Sequence, residues 1–412
     1  MQTLRSVQVA GRHSGLTSIQ LPQLGSPRRS CFQTRPPLSS APVRICVDVQ
    51  SAVAQRAGVG RYTKLLVQHL GAEAQGDELR LFYFDFRRQG PPFEAPGAAF
   101  LPFRLAPGRW IQGAWRYASW PPFDLCAGPA DVYHFPNFLL PPLRRGQAVV
   151  TIHDLGFLRC PAWAEDRNCR HLTARIQDTV RRAAAVIAVS DFTAAEIPAL
   201  LPVDPARVFA VPSGIEPLFR PPPPDRVREL RARLGLDRPY LLTVGTIEPR
   251  KNLPFLAEVF ERLADFDGEL VIAGSIGWKA EPILERLRAS PRAAAIRCLG
   301  YVSDADLPAL YAGADAFLCA SFYEGFGFPP LEAMACGTPV LSSTGGALAE
   351  TLAGGAELLA AFDADLWAER LRRLLGDAQE RAQRTAAGQR CAARYRWEET
   401  ARRTWEVYRR LS

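Results

Sequence analysis

Tyr240-Leu241-Leu242-Thr243-Val244-Gly245-Thr246-Ile247-Glu248-Pro249-Arg250-Lys251-Asn252-Leu253 is an apolar, β-branched run that ends on a glycine, passes through a polar turn and enters a segment of helical periodicity. A short continuous apolar run suits a strand buried on both faces, and the glycine lets the backbone turn without a side-chain clash. A strand that feeds a helix in this way is half of a βαβ unit, the building block of an open parallel sheet. In such sheets ligands gather outside the carboxyl ends of the strands, where helix N-termini expose unpaired N–H groups. Arg250 and Lys251 stand side by side at that place. Neighbouring cations at the positive end of a helix repel one another, so a di-anionic ligand is one explanation and a solvated surface turn is the other.

The same grammar extends to either side. Downstream, strands are predicted over 270–273, 296–299, 316–318 and 339–342, alternating with helices over 252–263, 281–287, 304–311, 330–335 and 347–352. Upstream, strands over 44–49, 79–84, 148–152, 185–189 and 208–211 alternate with helices over 60–70, 166–182 and 192–200. Between the two halves, Phe219-Arg220-Pro221-Pro222-Pro223-Pro224 forms a stiff polyproline break. Helices over 364–375, 379–395 and 398–411 close the chain. The predicted organisation is a tail over 1–42 expected to be disordered, a first doubly wound α/β domain over 43–220, a linker over 221–238, a second such domain over 239–395 facing the first across a cleft, and a C-terminal helix over 396–412 placed to cross back.

At ~150 residues per domain, 412 residues suit two or three domains, and 48% apolar composition supplies their cores. No stretch approaches the ~18–20 consecutive apolar residues of a bilayer-spanning helix. The net charge of +8 raises nucleic-acid binding, but residues 1–42 hold five arginines and no acid, and the other 370 residues carry 45 basic against 42 acidic groups. The bulk is nearly neutral, so nucleic acid is not an expected partner. Lysine is confined to Lys64, Lys251 and Lys279, which makes a retained point cation at Lys251 notable. The nine cysteines form no Cys-x-x-Cys pair and the histidines are dispersed, so free core thiols are expected rather than a zinc site. The tail lacks the apolar core of a secretory signal; its Arg- and Ser-rich composition leaves a transit peptide open.

Gly58-Val59-Gly60-Arg61-Tyr62 follows the first strand. Its glycines permit close backbone approach to a phosphate or an acceptor group, and Arg61 adds charge. Thr63 stands where the dinucleotide fingerprint wants glycine, so a nicotinamide-dependent dehydrogenase or epimerase is an alternative with an incomplete motif, and a simple chain-reversing turn is another. Ser321-Phe322-Tyr323-Glu324-Gly325-Phe326-Gly327-Phe328-Pro329-Pro330-Leu331-Glu332 follows the strand over 316–318. Glu324 and Glu332 at one cleft can accept hydrogen bonds from the hydroxyls of a polyol such as a sugar; the bland alternative is a loop acid and a helix-dipole partner. Asp265-Phe266-Asp267, Asp304-Ala305-Asp306 and Asp363-Ala364-Asp365 have the spacing of metal-binding aspartate pairs, but they fall at predicted helix edges where carboxylates act as caps, and no metal is expected. Trp110, Trp115 and Trp120, interleaved with Arg109, Arg116 and Tyr117, form either an amphipathic surface for lipid headgroups or part of a core.

The run Glu324 to Glu332 resembles the Glu-x7-Glu signature of retaining nucleotide-sugar glycosyltransferases of the GT-B fold, glycosyltransferase family 4. Thr151-Ile152-His153-Asp154-Leu155, Val189-Ser190-Asp191-Phe192-Thr193, Val211-Pro212-Ser213-Gly214-Ile215, Glu248-Pro249-Arg250-Lys251-Asn252, Leu299-Gly300-Tyr301-Val302 and Glu332-Ala333-Met334-Ala335-Cys336-Gly337-Thr338-Pro339-Val340 are similar to that family's blocks, in order. The likeness runs from about Val43 to Leu375 and is strongest to the mannosyltransferase B-like group of bacterial polysaccharide assembly.

The resemblance implies two Rossmann-like domains, the first on the acceptor side and the second binding the donor nucleotide. It implies that Glu324 binds donor-sugar hydroxyls, that the Gly325-Phe326-Gly327-Phe328 backbone supports the sugar, and that Glu332 holds the ribose hydroxyls. Arg250 and Lys251 are implied to grip the diphosphate, and His153 to touch the transferred sugar from the first domain. Gly60, Arg61, Ser190, Gly245, Thr246, Tyr301 and Val302 fall at positions implied to face the donor. Many members carry Arg directly after the glycine corresponding to Gly245; Thr246 stands here, so the division of work between Arg250 and Lys251 is open. The implied reaction is metal- and cofactor-independent transfer of a hexose, foremost mannose from GDP-mannose. The nucleotide sugar is the co-substrate and a glycan or lipid-linked saccharide the acceptor, in the cytoplasm or peripherally at the cytoplasmic face of the membrane.

Overall fold

A computed structural model describes residues 42–54, 58–163 and 166–412, and only the backbone of residues 166–171. The expected tail, Pro42 excepted, lies outside the described residues. The first domain is built on a seven-stranded sheet of β1 (Arg44–Asp48), β2 (Glu78–Phe84), β3 (Ala99–Phe103), β4 (Val132–Phe135), β5 (Gln147–Ile152), β6 (Ala185–Ala188) and β7 (Val208–Ala210), ordered β3-β2-β1-β4-β5-β6-β7. The second is built on β8 (Tyr240–Val244), β9 (Glu269–Ala273), β10 (Ile296–Gly300), β11 (Ala316–Cys319), β12 (Val340–Ser343) and β13 (Glu357–Leu359), ordered β10-β9-β8-β11-β12-β13. Every strand pairs parallel to its neighbours. In the centre of the first sheet, Val47 sits in register between Leu81 and His134. Both faces of these strands are covered by helices, which is why they read as continuous apolar runs: Ile45, Cys46 and Val47 are all buried.

The structure adds elements that the sequence pattern hides. β3, Ala-Phe-Leu-Pro-Phe, contains Pro102, which only an edge strand tolerates, and β3 is the edge of its sheet. β4 is a four-residue strand, Val-Tyr-His-Phe, whose His134 is buried and polar. The stretch over 221–238, expected as a linker, contains the helix Pro224–Leu234, which buries Leu230 and ends on Gly235 in the left-handed conformation. Its prolines sit at the helix start, where the missing N–H costs nothing.

The last helix, Trp397–Arg409, packs on the helix Val59–Leu70 of the first domain. Trp405 Nε1 donates to the Leu70 carbonyl at 2.9 Å, Tyr408 Oη lies 2.6 Å from His134 Nδ1, and Arg409 pairs with Asp77 at 3.1 Å. The chain therefore crosses between domains twice, and the two crossings are joined where Ile215 N donates to the Tyr395 carbonyl at 2.9 Å.

Candidate active site

The carboxyl ends of both sheets open on the interdomain cleft, and the candidate residues come from the turns that leave them. After β8, Gly245 takes a φ of 149°, open to glycine but strained for other residues, and a Cβ there would lie 3.0 Å from Lys251 Cε. The turn Pro249–Lys251 carries both cations, and Asn252, left-handed at φ 52°, bends the chain into the helix Leu253–Arg262. After β11, Glu324 lies in the loop and Gly327 caps the helix Phe328–Ala335, whose prolines occupy the first turn. From the first domain, His153 follows β5 and Ser190 caps the helix Asp191–Leu200.

These groups converge on Glu324. Lys251 Nζ donates to its Oε1 and Arg250 Nη1 to its Oε2, each at 2.7 Å, and Ser321 Oγ donates to Oε1 at 2.6 Å. Arg250 also pairs with buried Glu248 at 2.7 Å and donates to the Tyr323 carbonyl at 2.7 Å. The expected electropositive pocket is thus a balanced cluster of two cations and two carboxylates, as buried charges require in a low-dielectric site. Burial alone would raise the Glu324 carboxyl; Arg250 and Lys251 overcome it and hold the group down at about 2. Burial disfavours the Arg250 cation, but Glu324, Asp154 and Glu248 reverse the effect and the guanidinium stays protonated. Glu248 and Ser321 lie inside the stretches quoted from the sequence, but nothing there singles them out as partners of the cations or of Glu324.

The cleft is closed on this cluster. The Gly325 carbonyl accepts Ser190 Oγ at 2.7 Å and Thr193 Oγ1 at 3.2 Å, and a Cβ on Gly325 would meet the His153 carbonyl at 1.8 Å. No residue but glycine lets the two domains approach this closely. His153 Nε2 lies 2.9 Å from the Pro136 carbonyl, a partner that only an N–H can satisfy. Burial depresses the His153 pKa, so the ring is neutral with its proton on Nε2 and a lone pair on Nδ1.

Glu332 is placed one turn into its helix, with Oε1 taking Arg61 Nη1 at 2.9 Å and Oε2 taking the Tyr311 hydroxyl at 2.9 Å. Burial raises the Glu332 carboxyl, and Arg61 and Tyr311 offset only part of that rise. Gly60 is buried in the helix that carries Arg61. Tyr301 is 55% exposed beyond β10, with Val302 half-buried beside it. Thr246 turns its methyl toward Gly277. The Phe326 ring is buried against Tyr395, and the half-buried Phe328 packs on it.

Five of the six paired aspartates are engaged elsewhere: Asp265 with Arg372 at 3.1 Å, Asp306 with Arg233 at 2.6 Å, Asp267 with Arg238, Asp365 with Arg262, and Asp363 as a helix cap; Asp304 instead lies near enough to Arg61 and Glu332 to act electrostatically on both. Among the described residues, no three His, Cys, Asp or Glu side chains gather as a metal-ligand set, and the described cysteines are free.

Residues 56–217 match Glycosyltransferase Family 4 and residues 227–390 match Glycosyl transferases group 1. Over 375 residues the chain is 30% identical to O-antigen chain mannosyltransferase B of Escherichia coli, covering 86% of this chain and 96% of that protein. The chain belongs to the family-4 glycosyltransferases. Sucrose-phosphate synthase from Thermosynechococcus elongatus superposes with a TM-score of 0.71 at 20% identity, over 89% of this chain and 98% of that one. Anabaena HepE, solved in complex with UDP-glucose, superposes with a TM-score of 0.65 at 17% identity, over 88% of this chain and 99% of that one. The fold of this glycosyltransferase is therefore GT-B, and the reading as a nicotinamide-dependent dehydrogenase or epimerase falls. No described helix is long and apolar enough to cross a membrane.

Proposed function

We propose that this family-4 glycosyltransferase transfers mannose from GDP-mannose, with retention and without a metal, to a glycan or lipid-linked acceptor in polysaccharide assembly. The observation that carries the reading is the convergence of Arg250 and Lys251 on Glu324 at the carboxyl ends of β8 and β11. The likeness to an O-antigen mannosyltransferase supports mannose. As the anomeric C–O bond breaks, its electron pair goes to the departing diphosphate, and the sugar takes on oxocarbenium character. Fixed cations beside that diphosphate gain strength as the charge grows, which lowers the barrier without a metal. Glu324 holds both cations before the donor arrives and accepts sugar hydroxyls once it is bound; Glu332 takes the ribose diol. Neutral His153 accepts a hydroxyl of the transferred sugar at Nδ1. Gly60, Arg61, Ser190, Gly245, Thr246, Tyr301, Val302 and the 325–328 backbone complete the donor surroundings. The acceptor hydroxyl attacks from the leaving-group face and passes its proton to the departing phosphate oxygen, giving glycoside and GDP. The test is a nucleotide-sugar panel with released nucleotide as the readout, run with and without EDTA, and the anomer of the product assigned by NMR. Release from GDP-mannose with a retained anomer supports the reading; activity with another donor only, an inverted product or loss in EDTA refutes the corresponding part.

The acceptor side favours contact with a membrane surface, at its cytoplasmic face. The helix Gly108–Tyr117 leaves the carboxyl end of β3 with no buried residue, and Leu105, Trp110, Tyr117 and Trp120 are exposed. Arg87, Arg88, Arg109 and Arg116 are exposed around them, a charge pattern that complements anionic headgroups. Trp115, expected with this set, is turned inward instead: it packs on Phe84 and Phe123, and its Nε1 donates to the Pro121 carbonyl at 2.6 Å. Flotation with anionic vesicles, lost on Trp110→Ser with Trp120→Ser, supports the contact; no flotation of the native chain refutes it.

A further inference from the structure

One side chain touches the first domain, the interdomain crossing and the donor pocket at once. Arg61 leaves the first turn of the helix Val59–Leu70. Its Nη1 donates to Glu332 Oε1 in the second domain at 2.9 Å, and its Nε donates to Glu216 Oε2 in the crossing at 3.1 Å. The guanidinium lies 4.7 Å from the centre of the Phe219 ring, also in the crossing. A planar fork can hold two carboxylates and an aromatic face together, whereas an ammonium is a point charge that cannot reproduce the arrangement.

We propose that Arg61 is a positioning residue that couples donor binding to closure of the cleft, by orienting the Glu332 carboxylate for a ribose diol only when the first domain is docked. The proposal rests on the reading that Glu332 takes ribose hydroxyls. An ionised carboxylate has about four acceptor positions, so one donor from Arg61 and one from Tyr311 leave room for two hydroxyls. In an open cleft Glu332 keeps Tyr311 and loses its cation. It is then a weaker, less fixed acceptor. Apparent donor affinity is accordingly scaled by the closed fraction, and reciprocity requires the donor to favour closure by the same factor.

The experiment compares the full chain with Arg61→Gln, Arg61→Lys, Glu216→Gln, Glu332→Gln and the Arg61→Gln/Glu332→Gln double variant. Readouts are donor KM and kcat, nucleoside diphosphate Kd by calorimetry, and radius of gyration by X-ray scattering during nucleotide titration. Arg61→Gln is expected to raise KM and Kd about tenfold or more, with kcat at saturating donor changed less than about threefold, and to require correspondingly more nucleotide to reach the compact radius. Arg61→Lys should not rescue it, Glu216→Gln should shift Kd in the same direction by less, and the double variant should fall well short of additivity. Additive losses, a loss wholly in kcat, or a lower melting temperature with unchanged Kd and unchanged compaction overturns the coupling while leaving the donor site standing. Failure of the native chain to bind any nucleoside diphosphate overturns both. Should Arg61→Gln not fold, Glu216→Gln and Arg61→Lys carry the same comparison.

Discussion

Lys251→Ala isolates one of the two cations proposed to face the leaving group. Its Nζ is 2.7 Å from Glu324 Oε1, and Arg250 holds the other carboxylate oxygen at the same distance. Removing Lys251 therefore leaves Glu324 paired, and the stability loss is limited to one charge-assisted hydrogen bond, about 1.5–3 kcal/mol. The cost to chemistry has a separate origin. An ammonium about 4 Å from a full negative charge gains about 4 kcal/mol at an effective dielectric near 20. With roughly half to two thirds of a charge developing on the diphosphate, the transition state loses about 2–3 kcal/mol, or ~30- to 150-fold in rate. Single-turnover release of nucleotide at saturating donor, with a parallel urea melt, separates the two effects. Turnover within about threefold of the native enzyme, or a loss confined to KM, would refute the leaving-group role.

Three other outcomes follow from the same geometry. Gly325→Ala places a methyl against the His153 carbonyl across the cleft, so the domains should separate rather than unfold: kcat falls on the order of a hundredfold while stability changes by less than about 1 kcal/mol, checked by assay and melting curve. Stability should decline on acidification, because burial holds His134 down at about 3 from its usual 6.5 and the cations hold Glu324 at about 2 from 4.5. Both groups have depressed folded-state pKa values, so their contributions are present at neutral pH and are lost as pH falls, His134 between 6.5 and about 3 and Glu324 between 4.5 and about 2. His134→Gln should flatten the upper part of that decline in urea titrations, and an unchanged profile counts against the assignment. Trp405→Ala empties a site that is 1% exposed and should cost about 3–5 kcal/mol in chemical denaturation; a loss below about 1 kcal/mol refutes the view that this helix completes the first domain's core.

The parts of the fold that were legible in the sequence are those whose information is local. β8 and its turn read directly, because a buried parallel strand is a continuous apolar run and the glycine marks its end. β3 did not, since Pro102 argues against a strand until its edge position is known. Trp110 and Trp115 are indistinguishable by composition, and only the packing of Phe84 and Phe123 decides which one turns inward. In the site, the cation pair and the carboxylates were visible as a motif. That each cation is paired with a carboxylate was not, because the partners of Arg250 are 2 and 74 positions away and burial sets their pairing. The Arg61–Glu332 contact spans 271 positions, and no periodicity encodes it.

The hydrogen bond between His134 and Tyr408 joins residues 274 positions apart. During synthesis, the amino-terminal half emerges long before the segment that seals it, so its sheet stays uncapped on that flank while the second domain is being made. Interactions of such long sequence separation form late and slowly. A chain interrupted before Trp405 thus leaves the first domain incomplete, and a fragment ending at the polyproline break would expose the apolar face of the helix Val59–Leu70 and invite aggregation.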